Sequence, residues 1–377
     1  MRHAHRRVLV LGGGTAGNAL TVLLRGSGID VDLVESTSDW NADAGSGITL
    51  QGNALRVLRE VGVLPAVLAQ GFAFDSLGIT AADGTVLHVA TDLRTGGADL
   101  PATVGMRRPQ LQRLLSEAVR ASGARVRLGT RAVEVRQDAD TVEVGFSDGS
   151  SGEYDLVVIA EGVRSATRAL IGIGDRPVPT GMAIWRAPVP RPRGVARTDV
   201  AYGGPCFIAG YCPTGPDTMY AYLVERNRDR AKPDPDSYAD EMRGLAAGYG
   251  GAWPEISAAI TDPRRINYTW FERYLVEGPW HRGRSVLAGD AAHCCPPTIA
   301  QGAAMSLEDV HVLAELLTGA EDWDDELLNG YRERRMPRVR MVVDASVRIG
   351  EWLLRSAPDA DIPGLMGRTM TALAVRP

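Results

Sequence analysis

With 377 residues, 45% hydrophobic and 23% charged, the chain is long enough for two layered domains and has no biased tract that would stay unfolded. A net charge of -5 and a pI near 5.8 argue against nucleic acid, whose phosphates call for a basic surface. No apolar run approaches the roughly 18 residues of a membrane span, and the basic start Arg2 to Arg7 precedes an apolar run, Val8 to Leu11, too short for a secretory core.

Cys206, Cys212, Cys294 and Cys295 show neither CxxC spacing nor a disulfide framework, so reduced thiols and a cytoplasmic location are expected. The adjacent pair Cys294–Cys295 reads as buried apolar filler. No His/Cys/carboxylate set, His3 and His5 included, has metal-ligand spacing, and no metal is expected.

In chain order, Arg7 to Leu11 is a short apolar strand, followed by Gly12-Gly13-Gly14-Thr15-Ala16-Gly17 and a helical run from Asn18 to Arg25. In the pattern Gly12-x-Gly14-x-x-Gly17 the first glycine allows a tight turn, the second a close approach to a pyrophosphate, and the third helix-on-strand packing. The phosphates would meet the unpaired N–H groups of the helix start. A second strand, Ile29 to Val34, ends at Glu35, 18 residues after Gly17 and suited to a ribose diol. The motif does not separate NAD from FAD, although Glu35 would repel the 2′-phosphate of NADP.

Gly45-Ser46-Gly47-Ile48-Thr49-Leu50 leads into a helical pattern from Asn53 to Val61, and Gly105 to Leu115 opens another helix with Arg107 and Arg108 at its entrance. Val126 to Leu128, Ala132 to Arg136 and Val142 to Phe146 alternate like strands, with Asp148-Gly149 as a turn, and predict an inserted antiparallel hairpin. Leu156 to Ala160 reads as a strand buried on both faces, ending at Glu161-Gly162-Val163-Arg164-Ser165-Ala166-Thr167-Arg168.

From about Pro177 to Tyr274 aromatic residues increase, and Met182 to Ala187, Tyr202, Phe207 to Tyr211 and Met219 to Val224 look like sheet strands. Ser285 to Gly289 is another short strand with Asp290 at its carboxyl end, where ligands bind in doubly wound folds. Val286-Leu287-Ala288-Gly289-Asp290-Ala291-Ala292-His293 runs on through Pro296-Pro297 to Gln301-Gly302, and Ser306 to Asp309 begins a helix. A last helical region, Glu326 to Leu354, packs rather than reacts.

The Gly12 turn, the Glu161-Gly162 segment and the Gly289-Asp290 segment, in that order, resemble the FAD-dependent aromatic hydroxylases of the para-hydroxybenzoate hydroxylase type. The resemblance implies an α/β fold: a Rossmann-like FAD-binding domain (1–176 and 275–377, with C-terminal helices) and an inserted β-sheet substrate domain (177–274). It implies FAD contacts for Gly12, Gly14, Ala16, Gly17, Glu35, Ser36, Gly47, Arg108, Gly162, Gly289 and Asp290, with Asp290 on the ribityl chain. The backbone at Gln301, Gly302 and Ala303 would meet the pyrimidine end of the flavin, where a helix amino end stabilises negative charge. Trp185, Arg186, Tyr211, Tyr220 and Pro297 are the expected substrate contacts, with Arg186 and Pro297 at the reacting centre. Two departures stand out: the family has Asp-Gly where this chain has Glu161-Gly162, and Gly where it has Ala300. His293 is expected to be structural rather than a base.

The implied activity is an NAD(P)H-dependent monooxygenase that hydroxylates an aromatic, heteroaromatic or polyketide-like molecule with dioxygen through a flavin C4a-hydroperoxide. No second dinucleotide fold is visible, so NAD(P)H would meet the flavin transiently in a monomer or homodimer. Halogenases and reductases share the framework, although the halogenase Trp-x-Trp-x-Ile-Pro run is missing, with Trp185-Arg186-Ala187-Pro188 the nearest segment. An NAD-dependent dehydrogenase and a flavin-retaining binding protein are the more distant alternatives.

Overall fold

Apolar runs too short for helices become the centre of a parallel sheet. The computed structural model describes residues 6–40, 47–227 and 234–377; His3, His5, Gly45 and Ser46 lie outside the described residues. A six-stranded sheet has the order His281–Arg282, Ser285–Leu287, Leu156–Ile159, Arg7–Leu11, Asp30–Val34, Arg125–Arg127. All its neighbours pair in parallel except His281–Arg282. Leu156–Ile159 is buried along its whole length, as its continuous apolar run requires. The helix Thr15–Gly26 packs against Gly302–Gly319, and both begin beside the carboxyl ends of the central strands.

The predicted hairpin is corrected in one respect. Arg125–Arg127 joins the parallel sheet, where Arg125 Nε lies 2.6 Å from Asp32 Oδ1. The antiparallel meander consists instead of Ala132–Gln137, Val142–Phe146 and Ser151–Tyr154. A strand of three residues carries too little alternation to reveal its partner.

An eight-stranded sheet forms the second layer, in the order His293–Cys294, Asn267–Leu275, Val178–Pro190, Thr218–Arg226, Ile208–Pro213, Thr198–Tyr202, Ser76–Thr80, Val86–Thr91. Successive side chains on these strands point to opposite faces. Ala183, Trp185, Ala187, Tyr211, Ala221 and Leu223 therefore pack on one face against helices Tyr238–Ala246 and Trp253–Ala259. Met182, Ile184, Val200, Ile208, Val224 and Phe271 pack on the other. Those two helices, and a final one at Ile362–Ala374, were not anticipated from the sequence. The long helix Asp325–Arg355 contacts both layers. No helix among the described residues is long and apolar enough to cross a membrane.

Candidate functional site

A cavity of about 910 Å³ runs from the Gly12 turn, beneath the eight-stranded sheet, to the loop around Pro297–Ala303. At its first end Gly12 has φ +102, and a Cβ there would collide with the Ala160 carbonyl. A Cβ on Gly17 would strike the Gly12 carbonyl, so Gly17 serves helix packing behind the cavity wall. Gly14 and Gly162 instead face open space, and both line the wall with Ala16.

Glu35 is fixed at the edge of this turn. Its carboxylate accepts from Gly13 N at 2.7 Å, Thr37 N at 2.8 Å and the Thr37 hydroxyl at 3.0 Å. Ser36 donates to the same carboxylate at 3.1 Å and lies outside the wall. The Gly13 carbonyl accepts from Asn18 at 2.8 Å, Trp40 at 2.8 Å and Gln112 at 2.7 Å. These three supports come from separate segments, and no local spacing announces them.

Glu161, which stands where the family has Asp, is held within its own turn. Its carboxylate accepts from Ser165 Oγ at 2.6 Å, Thr167 Oγ1 at 2.9 Å and Thr167 N at 3.1 Å, and so holds the turn into helix Thr167–Leu170. Arg168 is buried, donating to the carbonyls of Ala291, Val163 and Asp175 and lying over the Tyr274 ring. Arg108 lines the cavity and, among the described residues, makes no hydrogen bond or ion pair. A free guanidinium in a concave site fits an anionic or carbonyl-bearing group.

At the other end Asp290 lines the wall and accepts from Ser306 Oγ at 3.2 Å. Burial pushes its carboxyl up, against the opposing pull of His293, the Ser306 hydroxyl and Arg108. Gly289 has φ +61 and sits behind the wall, its N–H donating to Asp309 Oδ2 at 3.0 Å. His293 Nε2 lies 2.6 Å from the same oxygen. Arg335, fully buried, spans Asp309 Oδ1 at 2.7 Å and Glu308 Oε2 at 3.0 Å. This ionic network was not foreseen, because its members lie far apart in sequence.

Gly302 and Ala303 line the wall, whereas the Gln301 side chain is fully buried and bonds to Gln51 and Asn53. Helix Gly302–Gly319 starts four residues before the expected Ser306, so its free N–H groups open at the cavity. Ala300 has φ 54 and ψ 34, a left-handed conformation rare for a residue with a Cβ.

In the ceiling, Arg186 donates to Thr269 Oγ1 at 3.2 Å and has no carboxylate partner among the described residues. Burial lowers its pKa, opposed by Tyr220 and Tyr222, with Arg108 adding to the lowering. Tyr220 also lines the cavity, its hydroxyl 3.0 Å from Thr49 Oγ1 and its ring against Gly47. Tyr222 and Thr49 complete this corner and were not predicted. Pro297 lines the opposite wall.

Trp185 and Tyr211 are corrections. Both face the helical side: Trp185 donates to Glu225 at 2.9 Å and packs on Tyr238 and Tyr268, while Tyr211 donates to Asp199 at 2.9 Å. Adjacent strand residues point oppositely, so Trp185 and Arg186 could not both face the cavity. Cys294 and Cys295 are half-buried and pack against the main core, and Cys295 also lines the cavity.

The sequence profile of the family described as FAD binding domain matches residues 5–346. The chain is 30% identical to the 2-heptyl-3-hydroxy-4(1H)-quinolone synthase of Pseudomonas aeruginosa, over 97% of this chain and 98% of that protein. It is 33% identical to a 3-amino-4-hydroxybenzoate 2-monooxygenase of Streptomyces platensis, over 90% and 86% respectively. Its fold is similar to that of Klebsiella pneumoniae HpxO, solved with FAD and uric acid, with TM-score 0.84, 23% identity and coverage of 99% of this chain and 93% of that one.

Proposed function

Because this chain belongs to the FAD-binding-domain family of class A flavin monooxygenases, we propose that its cavity hydroxylates an aromatic or heteroaromatic ring bearing an acidic or carbonyl oxygen, with NAD(P)H as reductant and dioxygen as co-substrate. The observation that carries this reading is continuity. A single cavity holds a dinucleotide turn, the Asp290 wall and an aromatic ceiling that carries the Arg186 guanidinium.

The wall fits FAD. Gly14 leaves room for a pyrophosphate at the start of helix Thr15–Gly26, and Glu35 is held where it can accept from ribose hydroxyls. Arg108 and Asp290 supply a donor and an acceptor farther along, and the N–H groups at Gly302 and Ala303 supply a positive helix end for the ring. When bound, FAD supplies the reactive ring on which reduction and oxygen activation take place.

The ceiling residues orient the substrate. Arg186 draws an anionic oxygen of the ring toward the Pro297 wall and favours its ionised, electron-rich form. Burial pushes the Tyr220 phenol upward, so it stays protonated at neutral pH and donates to that oxygen or to Thr49. His293 is committed to Asp309 and takes no part in proton transfer. The apolar residues around the ring exclude water.

The test is an absorption spectrum of the purified protein, then NADH or NADPH oxidation in air with a panel of phenols and heteroaromatics. Flavin bands with ring-stimulated oxidation support the reading. A reconstituted flavoprotein indifferent to every ring would sink it.

A further inference from the structure

The charges lining the cavity can be sorted by their partners. Glu35 is held by Gly13 and Thr37, Glu161 by Ser165 and Thr167, and Asp290 by Ser306. Asp39 also has a partner. Among the described residues the side chains of Arg108 and Asp92 have neither a hydrogen-bond nor an ionic partner, and Arg186, the other cation of the lining, has only the Thr269 hydroxyl. Arg108 belongs to the proposed cofactor wall. Under the eight-stranded sheet the lining charges without an ionic partner among the described residues are therefore one cation, Arg186, and one acid, Asp92.

They lie at opposite ends of the ceiling. Arg186 pairs in register with Tyr222, Tyr222 with Gly210, Gly210 with Val200, and Val200 with Ile79. Four steps between neighbouring strands at about 4.8 Å each amount to roughly 19 Å. Asp92 follows Thr91, which pairs with Ser76 on the far side of that same strand. Between the two charges the wall is aromatic and aliphatic, with Tyr222, Val200 and Leu77 along it. A single substituted ring cannot reach from one end to the other.

The neighbours of Asp92 do not neutralise it. Its own N–H donates to the Asp75 carbonyl at 2.9 Å, while the Asp75 carboxylate is already taken by Arg94 and by Ala102 N. Burial, reinforced by Asp75, pushes the Asp92 carboxyl up to about 6. Near pH 7.5 it is thus an ionised acid with no cation paired to it among the described residues, an arrangement that favours binding one.

We propose that Asp92 is the far anchor of an elongated substrate site, which takes an extended aromatic molecule with an acidic oxygen at the Arg186 end and a protonated amine at the Asp92 end. This deepens, and for turnover rests on, the hydroxylase reading; the anchor itself is a statement about binding.

The experiment uses the FAD-loaded enzyme at pH 7.5 and two matched ligands, para-(aminooctyloxy)benzoate and para-octyloxybenzoate. Both carry a carboxylate for Arg186, and only the first ends in an ammonium. Affinities are read by titration calorimetry in the wild type, Asp92→Asn and Asp92→Ser, with flavin content and melting temperature confirming that each variant is folded. The expected result is at least tenfold tighter binding of the amine in the wild type, falling to parity in both variants. Equal affinities in the wild type, a preference that survives both substitutions, or no binding of either ligand by flavin-loaded protein would overturn the proposal. A protein that cannot hold FAD would instead undo the hydroxylase reading, so the two failures are distinct.

Discussion

His293 Nε2 stands 2.6 Å from Asp309 Oδ2, and both side chains are sealed from solvent at 3% and 0% exposure. Burial alone would raise the Asp309 pKa, but His293 and Arg335 together outweigh it and hold this carboxyl below the usual carboxylate range. A group lowered in the folded state contributes stability above its unfolded pKa, near 4, and loses it as pH falls through the folded value. The melting temperature of the wild type should therefore drop as pH is taken from about 5 toward 3. Asp309→Asn should be less stable at pH 7 by on the order of 3 kcal/mol, with a shallower acid dependence. Parallel pH profiles for the two proteins would show that Asp309 is not the acid-sensitive group.

Ala300 occupies a left-handed conformation beside the cavity, held by Gln301, whose side chain is tied to Gln51 and Asn53. Glycine removes a penalty of roughly 1–2 kcal/mol there but adds unfolded-chain entropy of about 0.4–1 kcal/mol. Ala300→Gly should thus be neutral to slightly stabilising, whereas the β-branched Ala300→Val should destabilise by more than about 1 kcal/mol. Denaturant midpoints decide it, and a clear loss on Ala300→Gly would contradict the strain argument.

Neighbouring positions should separate binding from stability. Arg186→Ala removes the ceiling cation, and KM for an acidic ring substrate should rise on the order of tenfold or more with flavin content unchanged. Trp185→Ala empties the helical side of the same strand and should lower stability by about 3–5 kcal/mol. Steady-state kinetics and thermal melts, run on both variants, give the comparison. Should Trp185→Ala alter KM in protein that stays folded, the assignment of faces would be wrong.

Flavin retention should depend on both ends of the cavity wall. Gly12→Ala forces a Cβ into the Ala160 carbonyl at φ +102, and Asp290→Ala removes the acceptor beside Ser306. Each variant should purify with markedly less flavin, measured as the ratio of absorbance near 450 nm to that at 280 nm. Full occupancy in Asp290→Ala would take that residue out of the cofactor site.

Much of the nucleotide end could be read from the chain because its signals are local. The glycines at 12, 14 and 17, the acid at 35 and the short apolar strands each report on a turn or a sheet interior. The ceiling was harder to read. An aromatic-rich strand reveals that two faces differ but not which faces the cavity, so Trp185 and Tyr211, which pack on the helical side, were grouped with Arg186 and Tyr220, which line the cavity. The clamp of Gln51, Asn53 and Gln301 and the network of Asp309 and Arg335 join segments distant in sequence. Only the tertiary fold brings them together. Helix Ile362–Ala374, whose Met366 and Met370 line the cavity, is rich in small and weakly patterned residues and gave no periodic signal.

The placement of Leu156–Ile159 beside Ser285–Leu287 bears on how the molecule is made. The strand that completes the parallel sheet, together with the Asp290 and Gly302 wall, leaves the ribosome only after nearly all of the eight-stranded layer. Until then a wholly apolar strand has one edge without a partner, and parallel closure over so long a crossover is slow. Nascent or truncated chains ending before Ser285 thus present a sticky, half-finished sheet, the kind of surface that invites misassembly and chaperone capture.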